Sequence, residues 1–341
     1  MGLIKKPNEI ECKQTLTCMI YGQPGIGKTT LACSSPSPVL LDYDGGVNRI
    51  NGAHQIDTVQ ITSWEDTEEA LQEIKQSGEY RTIVIDTVGK MLAYMEDYIM
   101  RTNPRMKKGD GSLSLQGYGV RKAMFKSLIQ EVSISGLNII FVAHDKEEKQ
   151  GDDLRVRPEV SGSAYTDLMK ELDLVGYMMA YGKDRVITFD PDERFYTKNS
   201  CNMHGAIKVP EVVDADGRPQ GENNFFTIVT ENFVRRQIEE KAETAKYAEL
   251  MSGIVERINA VANAEDANNF IKWIGTVDHM WQSKAKASQL LMAKAASLGL
   301  KLNKSTKKYE GCDISDIPYT ARPVTAPLRL RDACRAVLEY R

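Results

Sequence analysis

Residues Gly22-Gln23-Pro24-Gly25-Ile26-Gly27-Lys28-Thr29-Thr30 fit the pattern G-x-x-x-x-G-K-[ST]. The glycines let successive backbone N–H groups turn inward around a phosphate. Lys28 adds a point charge for β- and γ-phosphates, and the Thr29 hydroxyl is placed to ligate Mg²⁺. A glycine-rich turn that merely started a helix would need neither the lysine nor the hydroxyl at those offsets. Four further polar residues close three apolar runs downstream. Asp86 ends Thr82-Ile83-Val84-Ile85-Asp86 and could support the metal. Asp42 and Asp44 follow Val39-Leu40-Leu41, and His144 follows Leu137 to Ala143. Acidic and polar strand ends beside a phosphate loop face the nucleotide crevice of an open parallel sheet. For Asp44 the other reading is a turn capped by its own aspartates; for His144 it is a satisfied strand-end histidine.

These residues must be carried by alternating strands and helices. Leu16 to Tyr21 reads as the strand before the phosphate loop, and Thr29 to Cys33 as the short helix after it. Ser34-Ser35-Pro36-Ser37-Pro38 then forces a turn. Further strands are expected at 39–41, 59–61, 82–87, 137–144, 174–180 and 186–189, with a shorter candidate at 195–197. Helices are expected at 63–76, opened by a capping pattern at Ser63 to Asp66, and at 91–100, 120–132 and 162–172. The result is an α/β fold with a mostly parallel central sheet flanked by helices. From Glu231 the composition shifts to helix formers, with helices expected at 235–262, 265–274 and 277–298, the last closed by Gly299. The implied division is a core over 1–230, a helical C-terminal region over 231–310, and an extended linker with a terminal helix over 311–341. Trp273, Met280, Trp281, Leu290 and Leu291 read as packing residues.

The 341 residues carry a net charge of −3, so overall charge makes no case for nucleic acid and local patches must carry any such role. No apolar run is long enough to span a bilayer, the N-terminus lacks the apolar core of a signal peptide, and Lys6 breaks a myristoylation pattern. The six cysteines lack C-x-x-C spacing, which suits reduced thiols in a cytoplasm and argues against zinc. Two polar stretches stand out. Arg101 to Gly111 holds Arg101, Arg105, Lys107 and Lys108; Asp145 to Ser161 holds Lys149, Arg155 and Arg157. Solvated loops and mobile contacts for a nucleic-acid backbone both fit this composition.

Taken in order, these landmarks resemble the RecA-like ATPases, most closely the phage-encoded nucleotide-binding branch that includes single-strand annealing proteins of the Sak type. The likeness covers roughly residues 12–205. Gly22 to Thr29 is similar to Walker A, and Ile83 to Thr87 to Walker B. The resemblance implies ATP and Mg²⁺ as ligands, Asp44 as the carboxylate orienting the attacking water, and His144 as a γ-phosphate sensor. Gly162-Ser163-Ala164 resembles the start of the helix that follows in the family. Lys198 falls where the family reaches across a subunit interface to a neighbour's ATP, with Arg194 as a substitute. The two basic stretches fall where the family holds single-stranded DNA inside a ring or filament of identical subunits. A phage-encoded protein of this kind works in the host cytoplasm. The C-terminal region matches nothing in the family; oligomer contacts, capture of a single-strand-binding protein and capping of the core all remain open for it. Two other function classes share the core: a helicase or helicase loader, and a nucleotide-driven switch with no DNA role.

Overall fold

A computed structural model of the chain describes residues 3–5, 7–150, 153–160, 169–182 and 184–311. It divides into two compact units, one of residues Lys13–Gln237 and one that joins the residues up to Cys12 with those from Ile238 onward.

The larger unit is built on a ten-stranded sheet. Its strands are β1 (Thr17–Gly22), β2 (Pro38–Asp42), β3 (Thr58–Gln60), β4 (Thr82–Asp86), β5 (Asn138–Gln150), β6 (Asp153–Pro158), β7 (Leu174–Tyr181), β8 (Asp184–Thr188), β9 (Lys198–Asn199) and β10 (Ile207–Lys208). The order is β10-β8-β7-β1-β5-β4-β2-β3; β6 pairs with β5 and β9 with β7. The strands from β7 to β3 in that order are parallel, while β8 and β10 complete one edge antiparallel.

Alternation along each central strand feeds two cores. Met19, Tyr21, Val39, Leu41, Ile83, Ile85, Ile139 and Phe141 pack on one face against α2 (Trp64–Ser77), α3 (Val88–Thr102) and α4 (Leu115–Ile134). Cys18, Ile20, Leu40, Val84, Ile140 and Val142 point to the other face, covered by α1 (Lys28–Ala32) and the first turns of α5 (Phe225–Asn259). Burial on both faces is why these strands read as continuous apolar runs. Helix α2 begins with a complete capping box, in which Ser63 and Asp66 each bond the other's backbone. Helix α5 docks its first turn on the end of α1: the Phe226 N–H donates to Ser34 Oγ at 2.9 Å, and Asn223 Nδ2 donates to the Thr30 carbonyl at 2.9 Å.

Two stretches expected as loops are more regular. The stretch from Asp145 is a hairpin in which the end of β5 pairs antiparallel with β6, from Asp145↔Pro158 to Gln150↔Asp153. Its charged residues face one another across the ladder: Glu148 lies opposite Arg155, and Arg157 Nε lies 2.7 Å from a Glu148 carboxylate oxygen. The other basic stretch starts inside α3, which runs on through Arg101 to Thr102. Pro104–Met106 then forms a 3-10 turn, and Asn103 accepts from the Arg105 N–H. The helix expected at 162–172 falls mostly outside the described residues; 169–171 are helical.

The second unit packs the later turns of α5, α6 (Ala264–Ile274), α7 (Ser283–Ser297) and a hairpin of β11 (Leu300–Asn303) and β12 (Lys308–Gly311) around Ile254, Ile258, Phe270, Leu291 and Tyr309. Helix α5 starts ten residues before the expected Arg235, because Phe225, Phe226, Val229 and Phe233 form an apolar helical stripe against the sheet. Helix α7 starts at Ser283 rather than Val277. Trp281 sits in the preceding turn with φ 46, exposed and against the Tyr247 ring, so it is no core residue. The terminal linker and helix expected beyond residue 311 lie outside the described residues.

Candidate functional site

Strand β1 lies between β5 and β7, both later in the chain, so the carboxyl end of β1 is a topological switch point. The loop that leaves it, Gly22 to Gly27, is shaped by glycine. A Cβ on Gly22 would come within 2.2 Å of the Met178 carbonyl oxygen on β7. Gly25 and Gly27 have φ of 76° and 95°, a region open to glycine at no steric cost. Gln23 and Pro24 are exposed, Ile26 is buried beneath the loop, and Thr30 continues α1.

The register of the parallel strands brings the predicted polar ends to this edge. Asp42 pairs level with Asp86, and Gly22 level with His144. Asp86 shares the α1 face with Val84, and Thr29 Oγ1 donates to Asp86 Oδ2 at 2.6 Å. Lys28 is buried, its ammonium donating to the Gly22 and Gln23 carbonyls at 2.8 and 2.7 Å. Burial raises the Asp86 carboxyl above the usual aspartate range; the Thr29 hydrogen bond and Lys28 oppose this, and the charges of Asp42 and Asp44 add to it. Burial lowers the Lys28 pKa, against the pull of Asp86 and Asp145. Asp145 is therefore a further acidic group of this edge that the strand-end reading passed over.

The two aspartates at the end of β2 and just beyond it have separate tasks. Asp42 is buried and accepts N–H groups from Asp44, Gly46 and Val47, so it builds the turn. Asp44 is held by no backbone donor among the described residues and pairs loosely with Arg49 at 3.4 Å. His144 Nδ1 is buried with no hydrogen-bond partner, an atom that calls for an unplaced donor or acceptor. Thr29 and Asp86 offer the oxygen ligands that Mg²⁺ prefers, and Lys28 with the glycine loop fits a phosphate chain.

Lys198 is not brought to this edge of its own chain. It pairs with Val175, level with Met19 near the start of β1, and its ammonium donates to the carbonyls of Met169, Lys170 and Leu172. Arg194 lies over the Phe195 ring and pairs with Asp192 at 3.5 Å.

The basic candidates sort by partner. Arg101 pairs with Glu65 at 2.6 Å and Arg157 with Glu148. Arg105, Lys107, Lys108, Lys149 and Arg155 form no ion pair among the described residues. Sequence reading missed Arg185 on β8. Its Nη1 lies 3.0 Å from where a Cβ on Gly27 would stand. The signal was the alternation Arg185, Ile187, Phe189, which carries one face of β8 up to the loop.

Comparison with known proteins places this geometry. The AAA domain family matches residues 14–201, more than half of the chain. The SPbeta prophage-derived uncharacterized protein YorG of Bacillus subtilis (strain 168) is 26% identical over 173 residues, which cover 48% of this chain. The match spans 51% of that relative, so the chain covers about half its length.

Proposed function

The chain belongs to the AAA domain family, and on that premise we propose that it is a Mg²⁺-dependent ATPase of phage type acting on single-stranded DNA. In this reading it serves recombination or annealing, in the manner of the Sak-type proteins, as a ring or filament of identical subunits. The observation that supports the ATPase part is the Thr29–Asp86 contact beside the Lys28 loop, which brings together at one strand edge groups suited to phosphate and metal. Bound Mg²⁺ would neutralise charge building on the phosphates during in-line water attack. Lys28 and the loop N–H groups would hold the phosphates, Thr29 and Asp86 would hold the metal, and Asp44 would take up the proton of the attacking water. His144, level with Gly22, reports on the terminal phosphate. Lys198 serves a neighbouring subunit's site by leaving its carbonyl partners.

The DNA part is supported by Arg105, Lys107 and Lys108 and by Lys149 and Arg155 of the β5–β6 hairpin, which form no ion pair among the described residues. In this reading the C-terminal unit would hold a partner such as a single-strand-binding protein. No helix among the described residues is long and apolar enough to cross a membrane. A specific observation favours a nucleotide switch with no DNA role: Glu147 and Glu148 sit among the hairpin's cations, and Glu148 neutralises Arg157.

The deciding experiment is ATP turnover with and without single-stranded DNA, at low and moderate salt. It compares the wild type, Lys28→Ala, and a triple variant with Arg105, Lys107 and Lys108 changed to Ala. DNA-stimulated turnover that the triple variant loses, while keeping basal turnover, supports the DNA-coupled reading. Turnover indifferent to DNA, with no binding at low salt, selects the switch.

A further inference from the structure

Arg185 is placed by strand logic. Strand β8 runs antiparallel to β7, pairing Ala180 with Arg185 and Met178 with Ile187. Its start therefore lies at the carboxyl edge of the parallel strands, where the phosphate loop emerges. Alternation puts Arg185 on the same face as Ile187 and Phe189, and both of those are buried in the core beneath α1. Ile187 and Phe189 close over Gly176, where an added Cβ would lie 2.7 and 2.5 Å from them. Arg185 is the next residue of that face, beyond the apolar layer and exposed.

The guanidinium comes to rest against the last glycine of the loop. Nη1 is 3.0 Å and Cζ 3.9 Å from the Cβ position of Gly27, the residue immediately before Lys28. Among the described residues no carboxylate pairs with it. The neighbouring Asp184 is taken by Lys208 at 2.6 Å. Lys28 is meanwhile buried and turned onto the Gly22 and Gln23 carbonyls. A solvent-facing guanidinium without an anion thus borders a loop built to receive one. Its planar fork of donors matches phosphate oxygens in pairs.

We propose that Arg185 is a second phosphate-binding cation of this site, supplied in cis from β8 and directed at the α- and β-phosphates that ADP and ATP share. This rests on the nucleotide-site reading above. The loop N–H groups around Gly27 cradle those same phosphates, so Arg185 and the loop would grip one segment of the ligand from two sides.

The test is equilibrium binding of fluorescent ADP and ATP analogues, with Mg²⁺, to the full chain. The variants are Arg185→Gln, Arg185→Lys and Lys28→Ala, each first melted without nucleotide to establish that it folds. The proposal expects Arg185→Gln to raise Kd for both nucleotides by roughly tenfold, with Arg185→Lys between it and the wild type. Kd values within about twofold of wild type for both nucleotides would overturn it. So would a loss confined to ATP, which would move Arg185 to the γ-phosphate. If Lys28→Ala also binds like wild type, the nucleotide-site reading itself fails. If Lys28→Ala weakens binding and Arg185→Gln does not, only the role of Arg185 is lost.

Discussion

The Thr29 hydroxyl donates to the Asp86 carboxylate across 2.6 Å, tying the start of α1 to the end of β4. If both oxygens serve one metal, as proposed, neither can be replaced without disturbing the other. Thr29→Val should weaken Mg²⁺-dependent nucleotide binding by roughly tenfold or more, while Mg²⁺-free nucleotide binding changes little. Asp86→Asn should do the same. Nucleotide titrations with and without Mg²⁺ read the difference; a Thr29→Val protein with wild-type Mg²⁺ dependence would detach the hydroxyl from the metal.

The raised pKa of Asp86 gives a pH dependence of defined sign. Burial makes the folded carboxyl hold its proton above the ordinary value, which is about 4 in unfolded chains. Metal binding needs the carboxylate, so Mg²⁺ affinity should fall as pH drops through a midpoint above that value. Folding without metal should respond in the opposite sense. The folded state binds this proton more tightly, so the stabilisation is present at low pH and lost as pH rises through the folded pKa. Asp86→Asn should flatten both slopes, as magnesium titrations and thermal melts across the acidic range would show.

Asp42 and Asp44 stand two residues apart and should fail differently. Asp42→Ala strands three N–H groups around a buried position, costing about 1–3 kcal/mol. Asp44→Asn gives up only a loose surface pair with Arg49, so stability should hold within about 0.5 kcal/mol. If Asp44 is the base, its turnover should fall by roughly a hundredfold or more, with nucleotide affinity kept. Denaturant midpoints together with turnover separate the two, and an active Asp44→Asn would assign the proton to another group.

Much of this architecture was legible because its signals are local. The stretches Cys18 to Tyr21 of β1, Ile83 to Ile85 of β4 and Ile139 to Ala143 of β5 are unbroken apolar runs, since two helical layers bury both faces. The Ser63–Asp66 capping box needs only four residues to recognise. What stayed hidden depends on pairing across distance. The hairpin after His144 looked like a polar loop because Lys146, Glu147, Glu148 and Lys149 show no apolar period. Only the alignment of Glu148 with Arg155, and the pairing of Glu148 with Arg157, shows a two-stranded ladder. Arg185 is hidden for a related reason: the Gly182 and Asp184 turn residues suit a hairpin, but only the register of β8 on β7 puts Arg185 beside the phosphate loop. The early start of α5 is hidden because a core ending at residue 230 takes in Phe225, Phe226 and Val229, which the structure shows to begin one apolar helical stripe with Phe233.

Gly22 couples the phosphate loop to the sheet. A methyl group there would meet the Met178 carbonyl oxygen at 2.2 Å, and that backbone belongs to β7 and cannot swing aside. Gly22→Ala should destabilise the larger unit by roughly 1–3 kcal/mol and weaken nucleotide binding as well. Gly25→Ala has open space around its Cβ and is opposed only by its φ of 76°, so it should cost less stability. Urea midpoints of the two variants rank them; equal midpoints would mean that β7 can retreat from β1.

The seven basic candidates should separate by the partners they already have. Arg101 is occupied by Glu65, and Arg157 by Glu148. Releasing either for DNA means giving up an ion pair, so Arg101→Ala should leave DNA affinity nearly unchanged. Arg105, Lys107 and Lys108 form no ion pair among the described residues, although the Asp110 carboxylate lies near enough to feel Lys108. If they neutralise DNA phosphates, each contact removed should lower the slope of log affinity against log salt by about 0.7 for a single strand. The triple alanine variant should therefore lose up to about 2 from that slope, whatever the base sequence of the oligonucleotide. Lys149→Ala with Arg155→Ala asks the same of the hairpin, where the acidic neighbours Glu147 and Glu148 should keep the effect smaller. Anisotropy of a labelled oligonucleotide across a salt series measures all of these slopes. Identical slopes for the wild type and the triple variant would take residues 105–108 out of the DNA interface and leave them as solvated surface.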